Sequence, residues 1–251
     1  MARRALPSSF TLPFFFSMKL LLATLPFGLL ALVHAPVPRL LRPRPGHSTS
    51  APAPDSTTVR LLYGVESADL TELMGRVLHV EKHRLVLHDR RLAGRHLRLT
   101  LQEYRRGVPG PEKPLDSDAS LTRLDSAGCL AITIYARQTS KNKVENTFIL
   151  PRAAMPRTFT AQPGQADKYS LRFDMHSYRR SPDQTGAAPN SPATEFRLPI
   201  GPTAVLAVYT LPYEKDGFSY YCNLAQSRVP VAEWYSRFGV PHFIVYRVRV
   251  E

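Results

Sequence analysis

The sequence predicts an all-β protein: an antiparallel β-sandwich, immunoglobulin-like or a partly open barrel, with one or two short helices. Many short segments alternate apolar and polar residues, turn-forming residues separate these segments, and no strand–helix–strand rhythm is present. The predicted sandwich is a single domain over residues 59–251. An export signal over residues 1–35 and a Pro-rich linker over residues 36–58 precede it.

Residues 18–35 have the layout of a secretory signal peptide. Lys19 precedes an apolar run over residues 20–33, which is shorter than the roughly 20 apolar residues of a membrane span and ends in small residues. Met18 is the expected start. The expected location is therefore the periplasm or the cell surface. The alternative is an uncleaved N-terminal membrane anchor, because Pro36 follows the expected cleavage point and signal peptidases accept proline poorly at that position.

The segment 36–58 contains six prolines among Ser, Thr, Ala and Arg residues. Such a composition cannot bury a core, so it predicts a flexible or polyproline-like tether between the export signal and the domain.

In the first part of the domain, residues 59–63 predict the first strand and residues 67–74 a short helix capped by Ser67. The segments 84–88 and 96–102 alternate clearly and predict two half-buried strands. Gly94, in their connection, is available for a positive φ.

The middle of the domain predicts a hairpin. Residues 107–118 form a long polar excursion, and the segments 130–138 and 144–150 follow as two strands with a turn between them.

Five further segments predict strands in the last part of the chain. They are residues 169–175, 196–200, 204–210, 217–224 and 242–250. The segment 204–210 is almost wholly apolar, which predicts a central strand. Residues 181–192 predict a loop, and residues 231–238 predict a short helix ended by Gly239 in the left-handed conformation.

A basic cluster stands out in a chain whose formal net charge is +13. Its members are Lys82, Arg84, Arg90, Arg91, Arg95, Arg98, Arg105 and Arg106. If the strands 84–88 and 96–102 pair, Arg84 and Arg98 share a wet face, and Arg105 and Arg106 lie at its end. These four are the candidate anion-binding residues, since guanidinium groups grip phosphate and sulfate. The alternative is a solvated basic face without a ligand.

An aromatic set forms the second candidate surface. Its members are Tyr209, Tyr213, Phe218, Tyr220, Tyr221, Trp234, Tyr235 and Phe238. Exposed aromatic rings stack on sugars, but a sandwich core needs at least half of them, so core packing is favoured.

No catalytic residue, metal ligand or cofactor is predicted. His79 and His83 lie about 13 Å apart on a strand, from roughly 3.3 Å per residue. Asp116, Asp118 and Asp125 lack EF-hand spacing and are expected to be solvated. The chain has no Gly-x-Ser-x-Gly, phosphate loop or Cys-x-x-Cys.

The two cysteines, Cys129 and Cys222, are a possible disulfide in an oxidising compartment. Strand phase opposes the pairing in part. Cys129 points away from the apolar side of its strand, whereas Cys222 shares a face with apolar residues, so a buried free thiol at Cys222 is the alternative.

The chain resembles uncharacterised exported proteins of the Bacteroidota. The resemblance is carried by Leu92-x-Gly94, Leu99-Thr-Leu-Gln-Glu-Tyr-Arg-Arg-Gly107, Asp216-Gly217, Tyr221-Cys222 and Trp234-Tyr-x-x-Phe238-x-Val-Pro-His-Phe243. It implies an exported soluble body and supplies no activity and no site residues.

These observations favour a non-catalytic structural or binding module of the cell envelope. One alternative is a polyanion- or glycan-binding protein that uses the basic cluster, and a second is an envelope hydrolase assembled from distant residues. The expected partner is an anionic glycan or another envelope component, and no specific nucleic-acid role is expected.

Overall fold

The computed structural model describes residues 55–65, 67–116, 118–173, 193–221, 224, 227 and 229–251. The predicted export signal, residues 36–54 of the predicted linker and the predicted loop 181–192 lie outside these ranges. The described part is an antiparallel β-sandwich with two short α-helices, as the sequence predicts, and its strands form no closed barrel.

Fourteen strands lie within these ranges. They are β1 (Ser56–Tyr63), β2 (Val80–His88), β3 (Leu97–Arg105), β4 (Val108–Pro109), β5 (Lys113–Pro114), β6 (Cys129–Ser140), β7 (Lys143–Leu150), β8 (Ala153–Thr160), β9 (Ser170–Phe173), β10 (Ala193–Pro199), β11 (Ala204–Thr210), β12 (Tyr213–Lys215), β13 (Phe218–Tyr220) and β14 (His242–Val250).

The strands form two six-stranded sheets and one separate hairpin. Sheet A has the order β10-β1-β2-β6-β7-β8, and sheet B has the order β4-β3-β14-β11-β9 with β5 also paired to β3. Strands β12 and β13 pair with each other and with no other strand of the described ranges. Every pairing is antiparallel. Connections between neighbours in such sheets need only short turns or loops.

The inner faces of the two sheets enclose one apolar core. Residues at alternate positions supply it, because successive side chains of a strand point to opposite faces. In sheet A, Leu61, Ile134 and Phe148 are fully buried, and in sheet B Leu99 and Tyr246 are 1% exposed. The Phe148 and Tyr246 rings meet edge to face, with centroids 5.0 Å apart.

Strand β14 is buried on both faces along most of its length. On the outer face of sheet B, Phe243 stacks on Tyr104 at 4.8 Å and lies 5.2 Å from Trp234, measured between ring centroids. Trp234 belongs to α2 (Trp234–Phe238), which ends at Gly239 with φ 69°. The left-handed cap that the sequence predicts is therefore confirmed.

The first helix, α1 (Ala68–Glu72), starts where the sequence predicts. The Ser67 side chain accepts a hydrogen bond from the Leu70 backbone N–H. The helix then widens into a π-helical turn at Leu73–Val77. None of the described helices is long and apolar enough to cross a membrane.

Several strand predictions are confirmed. Strands β6 and β7 form the predicted hairpin, and β11 lies between β14 and β9 rather than at an edge. The first strand begins three residues before the predicted strand segment 59–63, because Ser56–Thr58 already belong to β1 and pair with β10.

The segments 84–88 and 96–102 do not pair, so the condition under which Arg84 and Arg98 would share a wet face is not met. These segments lie in β2 and β3, which belong to different sheets. Both edges of β2 are occupied, by β1 and β6. The connection after β2 carries the chain to the other sheet, with Leu92 buried in the core on the way.

Strand β8 is a strand that the sequence did not reveal. It contains Pro156, which cannot donate to a strand ladder and argues against a central strand. The proline is tolerated because β8 is the last strand of sheet A, so one of its edges carries no partner strand from the described residues.

We predict that Tyr246→Phe lowers the free energy of unfolding by about 1–3 kcal/mol, because a buried donor loses its acceptor. The Asn146 Nδ2 group, which is buried in β7, donates to the Tyr246 hydroxyl across the two sheets at 2.6 Å. Urea unfolding measures the change.

The matched control is Tyr220→Phe. Tyr220 is 39% exposed, so this variant should lower the free energy of unfolding by no more than about 0.5 kcal/mol. Equal losses for the two variants would show that the inter-sheet hydrogen bond carries no specific stability.

Candidate functional site

The outer face of sheet B carries two opposed arginines. Arg98 on β3 and Arg249 on β14 are direct register partners, and Thr100 and Arg247 are the next such pair on the same face. Directly opposite side chains have Cβ atoms roughly 4.5–5.5 Å apart. The two guanidinium groups at Arg98 and Arg249 are therefore held as close neighbours, and we call this region the basic face.

The basic face contains a shallow groove with a volume of about 320 Å³. Its lining residues are Arg98, Thr100, Glu112, Lys113, Pro114, Thr203 and Arg249. Strand β5 brings Lys113 to the rim, because Lys113 pairs with Leu101 of β3. The groove is polar and open, as expected of a surface that contacts an extended charged ligand rather than one that encloses a small molecule.

Two carboxylates neutralise the basic face only in part. Glu251 Oε1 lies 3.8 Å from Arg98 Nη1 and 3.7 Å from Arg249 Nε. Glu112 Oε2 lies 3.8 Å from Arg247 Nη1. These ion pairs are long, and Arg98 and Arg249 are 60% and 52% exposed. Such exposed pairs contribute little free energy.

Arg247 is the most buried cation of the basic face, at 18% exposure. Its Nη2 group donates to the Tyr104 hydroxyl at 3.3 Å. Its Nη1 group is buried and has no hydrogen-bond partner. An unpaired buried donor costs free energy.

The structure does not bring the four predicted anion-binding residues together. Arg84 lies exposed on the outer face of sheet A, whereas Arg98 lies in sheet B. Arg105 donates to Glu103 at 2.5 Å and to the Thr160 carbonyl at 2.7 Å, so it links the sheets. Arg106 lies in the turn after β3, with φ 49°.

Of the predicted set, Arg98 alone belongs to the basic face, and sequence reasoning missed Arg247, Arg249 and Lys113. A partial signal was present, since the alternation over residues 242–250 already places Arg247 and Arg249 on one side of a strand. Nothing local indicated that this strand pairs with the one that carries Arg98.

A buried hydrogen-bond chain lies at one end of the sandwich. His242 Nε2 lies 2.8 Å from Glu103 Oε1, and His242 Nδ1 is hydrogen-bonded to the Tyr169 hydroxyl. The Gln162 backbone N–H donates to the same hydroxyl at 2.9 Å. The Gln162 N–H, the Tyr169 hydroxyl, the His242 ring and the Glu103 carboxylate all have partners when Tyr169 donates to His242 and His242 donates to Glu103.

This chain is not arranged as a nucleophile and its base. Burial raises the pKa of Tyr169 to about 12, so its hydroxyl stays protonated at neutral pH. Among the residues that the structure describes, no histidine is hydrogen-bonded to a serine or an aspartate. The geometry therefore adds nothing to the hydrolase hypothesis.

The histidines and aspartates considered as metal ligands are engaged in, or lie beside, local contacts of the fold. His83 is buried between the Tyr63 and Phe173 rings, whereas His79 precedes β2 with φ 50°. Asp118 and Asp125 accept hydrogen bonds from backbone N–H groups of their own loop.

Asp116, the third aspartate of that set, accepts a hydrogen bond from the Thr122 hydroxyl. Burial raises the pKa of Asp116 against the effect of this hydrogen bond. Within the described ranges no three His, Cys, Asp or Glu side chains cluster as metal ligands.

The aromatic set divides between core and surface. Tyr209, Tyr213 and Trp234 are buried, which confirms core packing for them. Phe218 and Tyr235 are exposed, at 66% and 40%.

Cys129 is half-buried at the start of β6, and Cys222 lies outside the described residues. The disulfide between them therefore stays a prediction.

The chain matches no protein-family model, and searches of curated proteins and of solved structures return no match. The resemblance to exported proteins of the Bacteroidota likewise stays a prediction.

We predict that Glu103→Gln destabilises the protein at pH 7 and that this effect shrinks as the pH falls toward 3. The hydrogen bond from His242 and the charge of Arg105 lower the pKa of Glu103, against the opposing effect of burial. A carboxylate with a lowered folded-state pKa contributes stability above its ordinary pKa, and this contribution is lost as the pH falls through the lowered value. Urea unfolding across this pH range measures the difference from wild type.

Glu72→Gln is the control, because Glu72 is 61% exposed in an i,i+4 pair with Arg76 and should change stability little at any pH. A destabilisation by Glu103→Gln that is the same at pH 7 and near pH 3 would contradict the role of the ionised carboxylate.

Proposed function

We propose that this protein is a non-catalytic module that binds acidic glycans through the basic face. The observation that carries the proposal is the direct opposition of Arg98 and Arg249 on β3 and β14. It replaces the continuous cluster over residues 82–106 as the expected binding surface.

Opposed arginines are a feature that stability alone does not favour. Like charges directly across a strand pair destabilise a sheet. Lys113 lines the same groove, and Arg247 lies two residues before Arg249 on the same face. Four cations therefore meet two carboxylates, Glu112 and Glu251, and the excess positive charge attracts a polyanion.

The chemistry of the groove fits sulfate or carboxylate groups on a polymer. Guanidinium groups bind such groups with two parallel N–H donors, and the Thr203 side chain adds a hydroxyl to the groove lining. The openness of the groove suits a chain that continues beyond it in both directions.

We predict that the double variant Arg98→Ser/Arg249→Ser elutes from immobilised heparin at lower salt than wild type. Exposed charge pairs contribute about 0.2–1 kcal/mol each, so the affinity should fall roughly 2- to 30-fold. Because salt screens exposed charges, the difference should shrink as the salt concentration rises.

The matched control is Arg60→Ser/Arg84→Ser, which removes the same charge from exposed positions on the outer face of sheet A. It should elute close to wild type. Equal weakening by both double variants would show that heparin senses only the net charge and would contradict a site on the basic face.

We also propose that the module works outside the cytoplasm, on the basis of the signal-peptide layout of residues 18–35. Intact-mass measurement on fractionated native cells is expected to find a soluble envelope protein that begins at Pro36. A chain that keeps residues 18–35 in the membrane fraction would contradict cleavage, and a cytosolic chain would contradict export.

A further inference from the structure

We propose that a groove on the outer face of sheet A binds one free fatty acid. The groove has a volume of about 780 Å³, which is within the range of small-molecule sites. It lies where the loop before β6 and the turn between β7 and β8 rise above the ends of β2 and β6. It shares no lining residue with the groove of the basic face.

The floor of this groove is apolar. Val86 of β2 and Ala131 of β6 are direct register partners on the outer face of sheet A, where a solvated sheet usually carries polar residues. Leu121 and Pro151 form parts of the walls. Val86, Ala131 and Leu121 are each only half-buried, so an alkyl chain in the groove would remove apolar surface from water.

The groove also carries two exposed cations, Arg123 and Arg152. Neither guanidinium has an ion-pair or hydrogen-bond partner among the residues that the structure describes. The acidic residue of the lining, Asp125, uses Oδ1 to accept hydrogen bonds from the Ala127 and Cys129 backbone N–H groups at 2.9 and 2.8 Å.

The apolar floor and the two unpaired guanidinium groups together indicate the class of ligand. An apolar floor excludes a wholly hydrophilic polyanion, and two unpaired guanidinium groups disfavour a neutral lipid. A single carboxylate on an alkyl chain satisfies both, since guanidinium binds carboxylate through two parallel hydrogen bonds and each buried methylene adds affinity.

Isothermal titration of the full chain with laurate tests the proposal. We expect one laurate per chain, with affinity rising by up to about fourfold per methylene from octanoate to laurate. Dodecanol, which lacks the charge, should bind at least about tenfold more weakly. Absence of laurate binding, or equal affinity for laurate and dodecanol, would overturn the proposal.

Two variants locate the site. Ala131→Phe fills the floor and should abolish laurate binding, whereas Ala154→Phe, at an exposed position of β8 outside the groove, should leave it unchanged. The double variant Arg123→Ser/Arg152→Ser should weaken laurate at least tenfold and leave dodecanol unchanged. Laurate binding that is unchanged in both Ala131→Phe and Arg123→Ser/Arg152→Ser would overturn the proposed location of the site. If Ala131→Phe fails to fold, the double arginine variant alone tests the location.

A third readout needs no substitution. Cys129 lines the same groove. In the reduced protein, saturating laurate should therefore slow the alkylation of Cys129 by N-ethylmaleimide, followed by peptide mass spectrometry. An unchanged rate at saturation would overturn the location. The basic-face variant Arg98→Ser/Arg249→Ser should bind laurate normally, so failure of either proposal is distinguishable from failure of the other.

Discussion

Strand β14 is buried on both faces and takes part in both apolar layers of the protein, the core between the sheets and the aromatic layer outside sheet B. Its inner side chains, such as Ile244 and Tyr246, pack in the core against sheet A. On its outer side, the Phe243 ring contacts the rings of Trp234 and Tyr104. Apolar burial is the main favourable contribution to folding, and one strand here contributes to two apolar layers.

The same strand also explains why the basic face is open. The helix α2 is short and covers only the first half of β14, where Phe243 lies. Toward its end the outer positions of β14 become Arg247 and Arg249, and their partners on β3 are Thr100 and Arg98. The outer face of sheet B therefore divides into an aromatic half that stabilises the fold and a basic half that is exposed to solvent.

A small number of polar contacts set how the two sheets stack. Asn146 donates to Tyr246 in the middle of the core. At the edge, the Glu81 carboxylate of sheet A accepts a hydrogen bond from the Leu171 backbone N–H of β9 at 2.6 Å. A buried polar group such as Asn146 is costly when unpaired, so its contact favours one relative placement of the sheets over neighbouring ones.

Most of the strands, with their inner and outer residues, the hairpin of β6 and β7 and the caps at Ser67 and Gly239 follow from the sequence alone, because these depend on period-two alternation and local backbone chemistry. Only the tertiary structure decided that β2 and β3 lie in different sheets, that Pro156 is accommodated in an edge strand, and that Arg98 lies opposite Arg249. Strand pairing joins residues far apart in the chain and is selected by the total burial of both sheets. No local pattern records that quantity, so the arginines could be counted from the sequence but not assembled into a site.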